Sequence, residues 1–209
     1  MKEKIISILT LLIVSLSMSA QTANSILDKT ANMFKASGGI QATFSAATYK
    51  GNTPQGSVQG TIYVKGQQFK IVSPNGNIWF DGKTQWSLYA NSDEVNVTNP
   101  TPEELQSINP YTFINLYKNG YKASFVSKTY KNKACYEIKL VAQNSRKALK
   151  EMYIIVDKKT YYPYSVRLKQ VNDWFHVNIS NIKVHNKWND SFFKFNAKNY
   201  PNVEVIDLR

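Results

Sequence analysis

From Val58 onward the chain alternates apolar and polar residues in short runs, with turn dipeptides between them. Val58, Gly60, Ile62 and Val64 interleave with Gln59, Thr61, Tyr63 and Lys65, and Phe69 and Ile71 flank Lys70. Successive side chains of a strand point to opposite faces, so this pattern predicts half-buried strands. Asn75-Gly76 and Asp81-Gly82 supply hairpin turns around Ile78-Trp79-Phe80 and Trp86-Ser87-Leu88-Tyr89, and the meander continues to Val95-Asn96-Val97. Strands resume after Tyr121, with Tyr136, Ile138, Leu140 and Ala142 in one run and Met152, Ile154 and Val156 in the next. Tyr164, Val166 and Leu168 follow, then Trp174 to Val184, with a last strand expected over Phe192 to Phe195.

Helical spacing interrupts this pattern in two places. Over Ser25 to Lys35 the apolar residues Ile26, Leu27, Ala31, Met33 and Phe34 recur at helical intervals, Ser25 and Asp28 form a capping-box pattern, and Ser37-Gly38-Gly39 is a stop. Thr101-Pro102-Glu103-Glu104 is a helix start, and Asn109-Pro110 begins a second short helix expected to reach Tyr117. The second helix carries Tyr111, Phe113, Ile114, Leu116 and Tyr117, an apolar set that must cover something apolar. The order is therefore helix, about six strands, two short helices and about five strands. So many antiparallel strands must curl or close to bury one face and protect their edges, which predicts a helix-covered curved sheet or open barrel.

Residues 1–20 read as a secretory signal peptide: Lys2 and Lys4, an apolar run from Ile5 to Leu16, then Ser17-Met18-Ser19-Ala20. Residues 21–209 are expected to form a single domain outside the inner membrane. One cysteine, Cys135, excludes an intramolecular disulfide, and two histidines, His176 and His185, are a poor basis for a metal or imidazole site. The carboxylates available for acid–base work have structural explanations. Asp81 lies in a turn dipeptide, and Glu103-Glu104 lie where a helix start favours acids. No enzyme signature, metal site or cofactor motif remains. The formal charge of +12 suits a solvated basic surface or an anionic membrane surface better than nucleic acid, because the lysines are scattered through strands and turns. The four tryptophans are expected to pack in the barrel wall rather than form a sugar-stacking face.

An ordered set of segments resembles the LolA family, periplasmic carriers of outer-membrane lipoproteins. It comprises the leader, the amphipathic helix, Gly56 to Lys65, Phe69-Lys70-Ile71, Asp81 to Tyr89, Glu94-Val95, and the ending Phe193-Lys194-Phe195, Tyr200-Pro201 and Val203 to Arg209. The resemblance implies an incompletely closed antiparallel half-barrel, mainly β with α, covered by the N-terminal helix and short lid helices. It implies a monomeric carrier and not an enzyme, holding the acyl chains of lipoproteins in an apolar cavity. An inner-membrane lipoprotein-releasing transporter would load it and an outer-membrane acceptor would unload it.

On that frame the cavity wall is expected from Val58, Ile62, Val64, Phe69 and Ile71, from Trp86 and Leu88, and from Ile138, Leu140 and Ile154, with Phe113 and Leu116 on the lid. Type members of the family carry a lid-latching arginine just after the segment matching Tyr63-Val64-Lys65. Gly66 and Gln67 stand here, which makes Lys65 and Lys70 the candidate latches. A carrier of another amphiphile, such as a glycolipid or pigment, would use the same cavity, and a secreted carbohydrate-binding or hydrolytic β protein is the remaining alternative.

Overall fold

A computed structural model describes residues 22–105, 113–130, 133–170, 173–184 and 188–209. The expected leader, the start of the second short helix at Pro110, and His185 lie outside these residues. Helix α1, Ala23–Ala36, begins two residues before the expected cap. Thr22, not Ser25, is the cap: its hydroxyl oxygen accepts from the Ser25 amide at 3.1 Å, and the Ser25 hydroxyl donates back to the Thr22 carbonyl at 2.9 Å. Ile26, Leu27, Thr30, Ala31 and Phe34 form its buried stripe. Ser37 closes the helix by donating its amide to Met33 and its hydroxyl to Phe34, and Gly38 follows at φ +69°.

Six strands come next: β1 (Ile40–Lys50), β2 (Thr53–Lys65), β3 (Gln68–Ser73), β4 (Gly76–Phe80), β5 (Gln85–Tyr89) and β6 (Glu94–Thr98). The one-turn helix α2 (Pro102–Leu105) starts as its sequence predicts, with the Glu104 carboxylate accepting from the Thr101 amide at 2.7 Å. After a 3-10 turn at Leu116–Lys118 come β7 (Tyr121–Tyr130), β8 (Lys133–Ala142), β9 (Leu149–Asp157), β10 (Pro163–Gln170) and β11 (Asp173–Val184). The expected strand over Phe192 to Phe195 is not one: Asp190–Phe193 is a 3-10 turn, and the last strand is β12, Glu204–Asp207. Phe192 and Phe193 are adjacent and their rings meet edge-on at 5.3 Å, whereas the alternating faces of a strand would send them apart.

The strands form one sheet in the order β12-β6-β5-β4-β3-β2-β1-β11-β10-β9-β8-β7. Neighbours are antiparallel except β12, which runs parallel to β6. The margins β7 and β12 do not pair, so the sheet is an open half-barrel with α1 against one face. Turn chemistry matches the sequence reading. Gly76 sits at φ +133°, and a Cβ there would lie 2.2 Å from the Leu88 carbonyl oxygen. The Asp81 carboxylate is consumed by the turn it makes, accepting from the amides of Lys83 and Thr84.

Candidate functional site: an apolar trough beneath a helical cover

Cross-strand partners share a face, so the register defines what lines the trough. One row runs through seven strands as Phe125, Ile138, Ile154, Val166, Val177, Ala46 and Val58, all apolar. A second row runs Ala42, Ile62, Ile71 and Ile78, and a third begins Ile40, Val64, Phe69 and Phe80. This is the face that α1 covers. Ile26, Leu27 and Phe34 of α1 join Phe113, Leu116, Ile138, Leu140, Met152 and Ile154 in one buried cluster, where Leu116, Ile138, Leu140 and Ile154 are fully buried. Val64, Phe69 and Phe80 form a second cluster, with Ile62, Ile71 and Leu105 of α2 against it.

Ten of the twelve expected wall and lid residues thus share this inner face or pack on it. Trp86 and Leu88 do not. Their register partners Trp79 and Asn77, together with Val97 and Val95, put them on the outer face, in a third cluster with Phe195, Tyr200 and Val203. The C-terminal segment supplies that second cover. Trp79 meets Phe195 and Tyr200 edge-on at 5.5 and 5.7 Å, and Tyr63 meets Trp188 and Phe192 at 5.5 and 5.2 Å. Both sides of β4 are therefore apolar and covered, and alternation alone does not say which side of the β4–β5 hairpin faces the trough. Trp79, Trp86 and Trp188 are tied up in this packing, while Trp174 lies apart on β11 beside His176. A continuous sugar-stacking face is not formed.

Open space along the trough lies where side chains are small. A groove of about 420 Å³ is bounded by Ala46, Thr48, Gln55, Gly56, Ser57, Val58, Asn75 and Phe175, within the range of about 300–1,000 Å³ usual for small-molecule sites. Gly60 allows the Phe44 ring to cross it: a Cβ there would lie 2.7 Å from the Phe44 ring and 2.5 Å from the Val72 carbonyl oxygen.

The lysines expected to latch the lid bind the other cover instead. Lys65 Nζ donates to the Trp188 carbonyl at 2.9 Å and pairs with Asp190 at 3.0 Å. Lys70 projects from the outer face over Phe192 and Trp79, 4.6 and 5.6 Å from their centroids, and burial pushes its pKa down. Both are odd-phase neighbours of the inward-facing Val64, Phe69 and Ile71, so the strand pleat sends them outward.

What ties the segment after the lid to α1 is Asp28. The Tyr117 phenol donates to its carboxylate, and Lys118 Nζ lies 3.1 Å from the same oxygen. The Tyr117 hydrogen bond, then Lys118, holds the Asp28 carboxyl below the usual aspartate range, while burial and then Asp28 push the Tyr117 phenol up. Sequence reasoning placed Asp28 in a capping box. Its helical position three residues after Ser25 was the visible signal, and its partners 89 and 90 residues away were not. Lys29 adds a second tie, resting over the Tyr161 ring in the β9–β10 turn.

Among the described residues no group of three or more histidine, cysteine or acidic side chains could hold a metal ion. Cys135 is buried, with its thiol pushed up by desolvation, and His176 packs on Tyr49 at 4.5 Å on the outer face.

The family model for the outer membrane lipoprotein carrier protein LolA matches residues 13–172. The chain belongs to that family. The match ends before β11, so the second cover lies beyond it. Among solved structures, an uncharacterised conserved protein from Thermus thermophilus superposes with a TM-score of 0.61 at 11% identity, covering 90% of this chain and 99% of its own; it shares the fold. A LolA superfamily protein from Nitrosomonas europaea gives 0.47 at 13% identity over 84% of this chain and 99% of its own. A putative outer membrane lipoprotein-sorting protein domain from Vibrio parahaemolyticus gives 0.47 at 8% identity over 86% and 98%. No curated protein matches the chain in sequence. No helix among the described residues is long and apolar enough to cross a membrane.

Proposed function

We propose that this protein is a periplasmic carrier that takes the acyl chains of lipoproteins into the trough and moves them from the inner to the outer membrane without covalent chemistry. The observation that carries the reading is the apolar row crossing seven strands, on the face against which α1 packs Ile26, Leu27 and Phe34. Each methylene moved from water into such a trough gains about 0.8 kcal/mol, so one long chain already supplies ample affinity. Part of that gain is offset, because α1 and the lid must give up their own contacts with the same wall. The offset keeps cargo exchangeable, and release then follows from a partner that offers a better site. An inner-membrane transporter and an outer-membrane acceptor are the partners this reading requires, and the basic surface suits approach to anionic membranes.

The test is extraction of the protein from the periplasm under native conditions, followed by mass spectrometry of what it holds. Acylated lipoproteins or their acylated amino-terminal peptides are expected. A glycolipid or pigment in their place would transfer the site to another amphiphile, and an empty trough that also fails to take up acylated peptide would end the carrier reading.

A further inference from the structure

On the outer face the register sets Trp174 of β11 opposite Tyr49 of β1, and His176 of β11 between Ala47 of β1 and Arg167 of β10. Phe175, between Trp174 and His176, borders the trough groove on the other side of the same strand. The outer rings pack together, His176 lying 4.5 Å from Tyr49 and 6.1 Å from Trp174, centroid to centroid. Beside the β1–β2 turn, Tyr49, Gly51, Asn52, Arg167, Trp174 and His176 line an open cavity of about 270 Å³. That is a little below the range of about 300–1,000 Å³ usual for drug-sized ligands, and it suits a guest of one ring.

The charges at this cavity are already met. The Arg167 guanidinium pairs with Glu137 at 2.6 Å and rests on the Tyr153 ring at 4.5 Å. Lys169, over Trp174 at 5.6 Å, pairs with Glu151 at 3.5 Å. Burial, then Arg167, push the His176 pKa down, which keeps the imidazole neutral near pH 7. The remaining polar groups both donate and accept: the Tyr49 hydroxyl, the Asn52 amide, and the two unlike nitrogens of neutral His176. Beside them the half-buried Tyr49 and Trp174 rings offer apolar faces. An ion would find no free counter-charge here, and a hydrocarbon would leave three polar groups unmatched. A ring with an apolar C–H face and a rim of hydroxyls, each donor and acceptor at once, meets both conditions.

We propose that this outer-face cavity binds one neutral pyranose unit of a glycan, its C–H face stacked on Trp174 and its hydroxyls held by Tyr49, Asn52 and His176. The site lies across the sheet from the trough and does not rest on the acyl-carrier reading. A gluco-configured ring fits best: its hydroxyls are equatorial, whereas an axial hydroxyl would press a polar group against the indole. Trp79, Trp86 and Trp188 are used in packing the C-terminal cover, and Trp174 is the one with a cavity beside it. One stacking ring among amphoteric hydrogen-bonding groups provides for a single sugar unit, where a continuous face would be needed for a long chain.

The experiment titrates the protein with methyl β-glucoside by calorimetry, while an uncharged naphthylamine dye reports on the trough separately. Saturable binding at about millimolar concentration is expected of a one-ring guest, methyl β-galactoside should bind more weakly, and inorganic phosphate should not compete. Trp174→Ala should weaken the glucoside by about tenfold and Trp174→Phe by much less, since a ring remains. Asn52→Ala, on an exposed turn, should weaken it by about fivefold. Dye affinity should stay within about twofold in all three variants, which also reports that the fold is kept. The sugar site is overturned if the glucoside does not bind the wild-type protein, if the two glycosides bind equally, if phosphate displaces the glucoside, or if Trp174→Ala keeps full affinity with dye binding intact. Should Trp174→Ala lose the dye as well, Asn52→Ala decides alone, and unchanged glucoside affinity there overturns the site. None of these outcomes touches the carrier reading, and a wild-type protein that binds the glucoside but neither dye nor acylated peptide would end that reading and leave the sugar site standing.

Discussion

The Tyr117 phenol donates a hydrogen bond to the Asp28 carboxylate, joining residues 89 positions apart in sequence across the edge of the trough. Lys118 reaches the same oxygen, so one acidic side chain on α1 holds two consecutive residues of the segment that closes over the sheet. Asp28→Ala removes both ties and leaves the helix cap at Thr22 untouched. A charge-assisted hydrogen bond contributes about 1.5–3 kcal/mol, and at this half-exposed position about 1 kcal/mol is expected. Hydrogen exchange at the Lys118 and Asn119 amides, which close the 3-10 turn, should speed up by about fivefold, and Tyr117→Phe should give part of the effect. Unchanged exchange in both variants would remove Asp28 from any role in closure.

The same contact sets a pH window. Asp28 has a depressed pKa, so its contribution is present above the ordinary aspartate value of 3.8 and is lost as pH falls through the lower folded value. Tyr117 has a raised pKa, so its contribution is complete below the ordinary 10.0 and fades as pH climbs through the higher folded value. Exchange at the Lys118 amide, corrected for its intrinsic rate, should be flat across neutral pH, rise on the acid side of about pH 4 and rise again well above pH 10. A step near pH 6 to 7 would point to a histidine instead.

Leu116 is fully buried beneath α1, so shortening it leaves a cavity at the centre of the main cluster. Leu116→Ala should cost about 2–5 kcal/mol in urea unfolding. Phe113→Ala belongs to the same cluster and should cost about 3–5 kcal/mol. Dye affinity in the surviving folded protein should rise for Leu116→Ala, because the cover then gives up less contact when the guest enters.

Gly60 is where the trough has least room for change. Alanine there would meet both the Phe44 ring and the Val72 carbonyl oxygen of β3. The ring can turn, but the β3 backbone is held in the ladder. Gly60→Ala should lose about 1–3 kcal/mol of stability and weaken dye binding by moving Phe44 into the trough. A variant with wild-type stability and affinity would mean that β3 yields freely.

Lys65 and Lys70 should affect the C-terminal cover and leave the lid alone. Lys65→Ala removes the contacts to the Trp188 carbonyl and to Asp190, and Lys70→Ala removes a cation resting on two rings. Faster exchange at the Phe192 and Lys194 amides, with Lys118 and Asn119 unaffected, is the expected pattern. Gly66→Arg should also leave the lid untouched: Gly66 is exposed at φ +58° in the β2–β3 turn, and the new side chain would strain that turn.

Most strands from Val58 to Val184 and the covering helix were legible because alternation and helical spacing are local signals there, while the strand at Ile40–Lys50 and the order within the sheet were not read. Val58, Ile62, Val64, Phe69 and Ile71 share one face, which could be read because their strands are apolar mainly on one side. Trp86 and Leu88 could not be placed this way, because a period of two says only that faces differ. A second cover made from residues 188–203, a hundred positions downstream, made the outer face apolar too. The latch failed for a related reason. A positive side chain near Val64 could be found in sequence, but the pleat that turns Lys65 and Lys70 outward, and the distant pairing that brings Asp28 to Tyr117, belong to the assembled sheet.

The unpaired margins β7 and β12 bear on how much the protein can carry. A closed barrel has its bore fixed by strand number and stagger, and widening it means breaking backbone pairs. Here the sheet can flatten or tighten while every rung of its ladder stays intact, with only helix-to-sheet contacts adjusting. On the carrier reading proposed above, this makes capacity elastic: cargo with two chains or three would need only a change of curvature, in a molecule whose hydrogen-bonded frame stays the same.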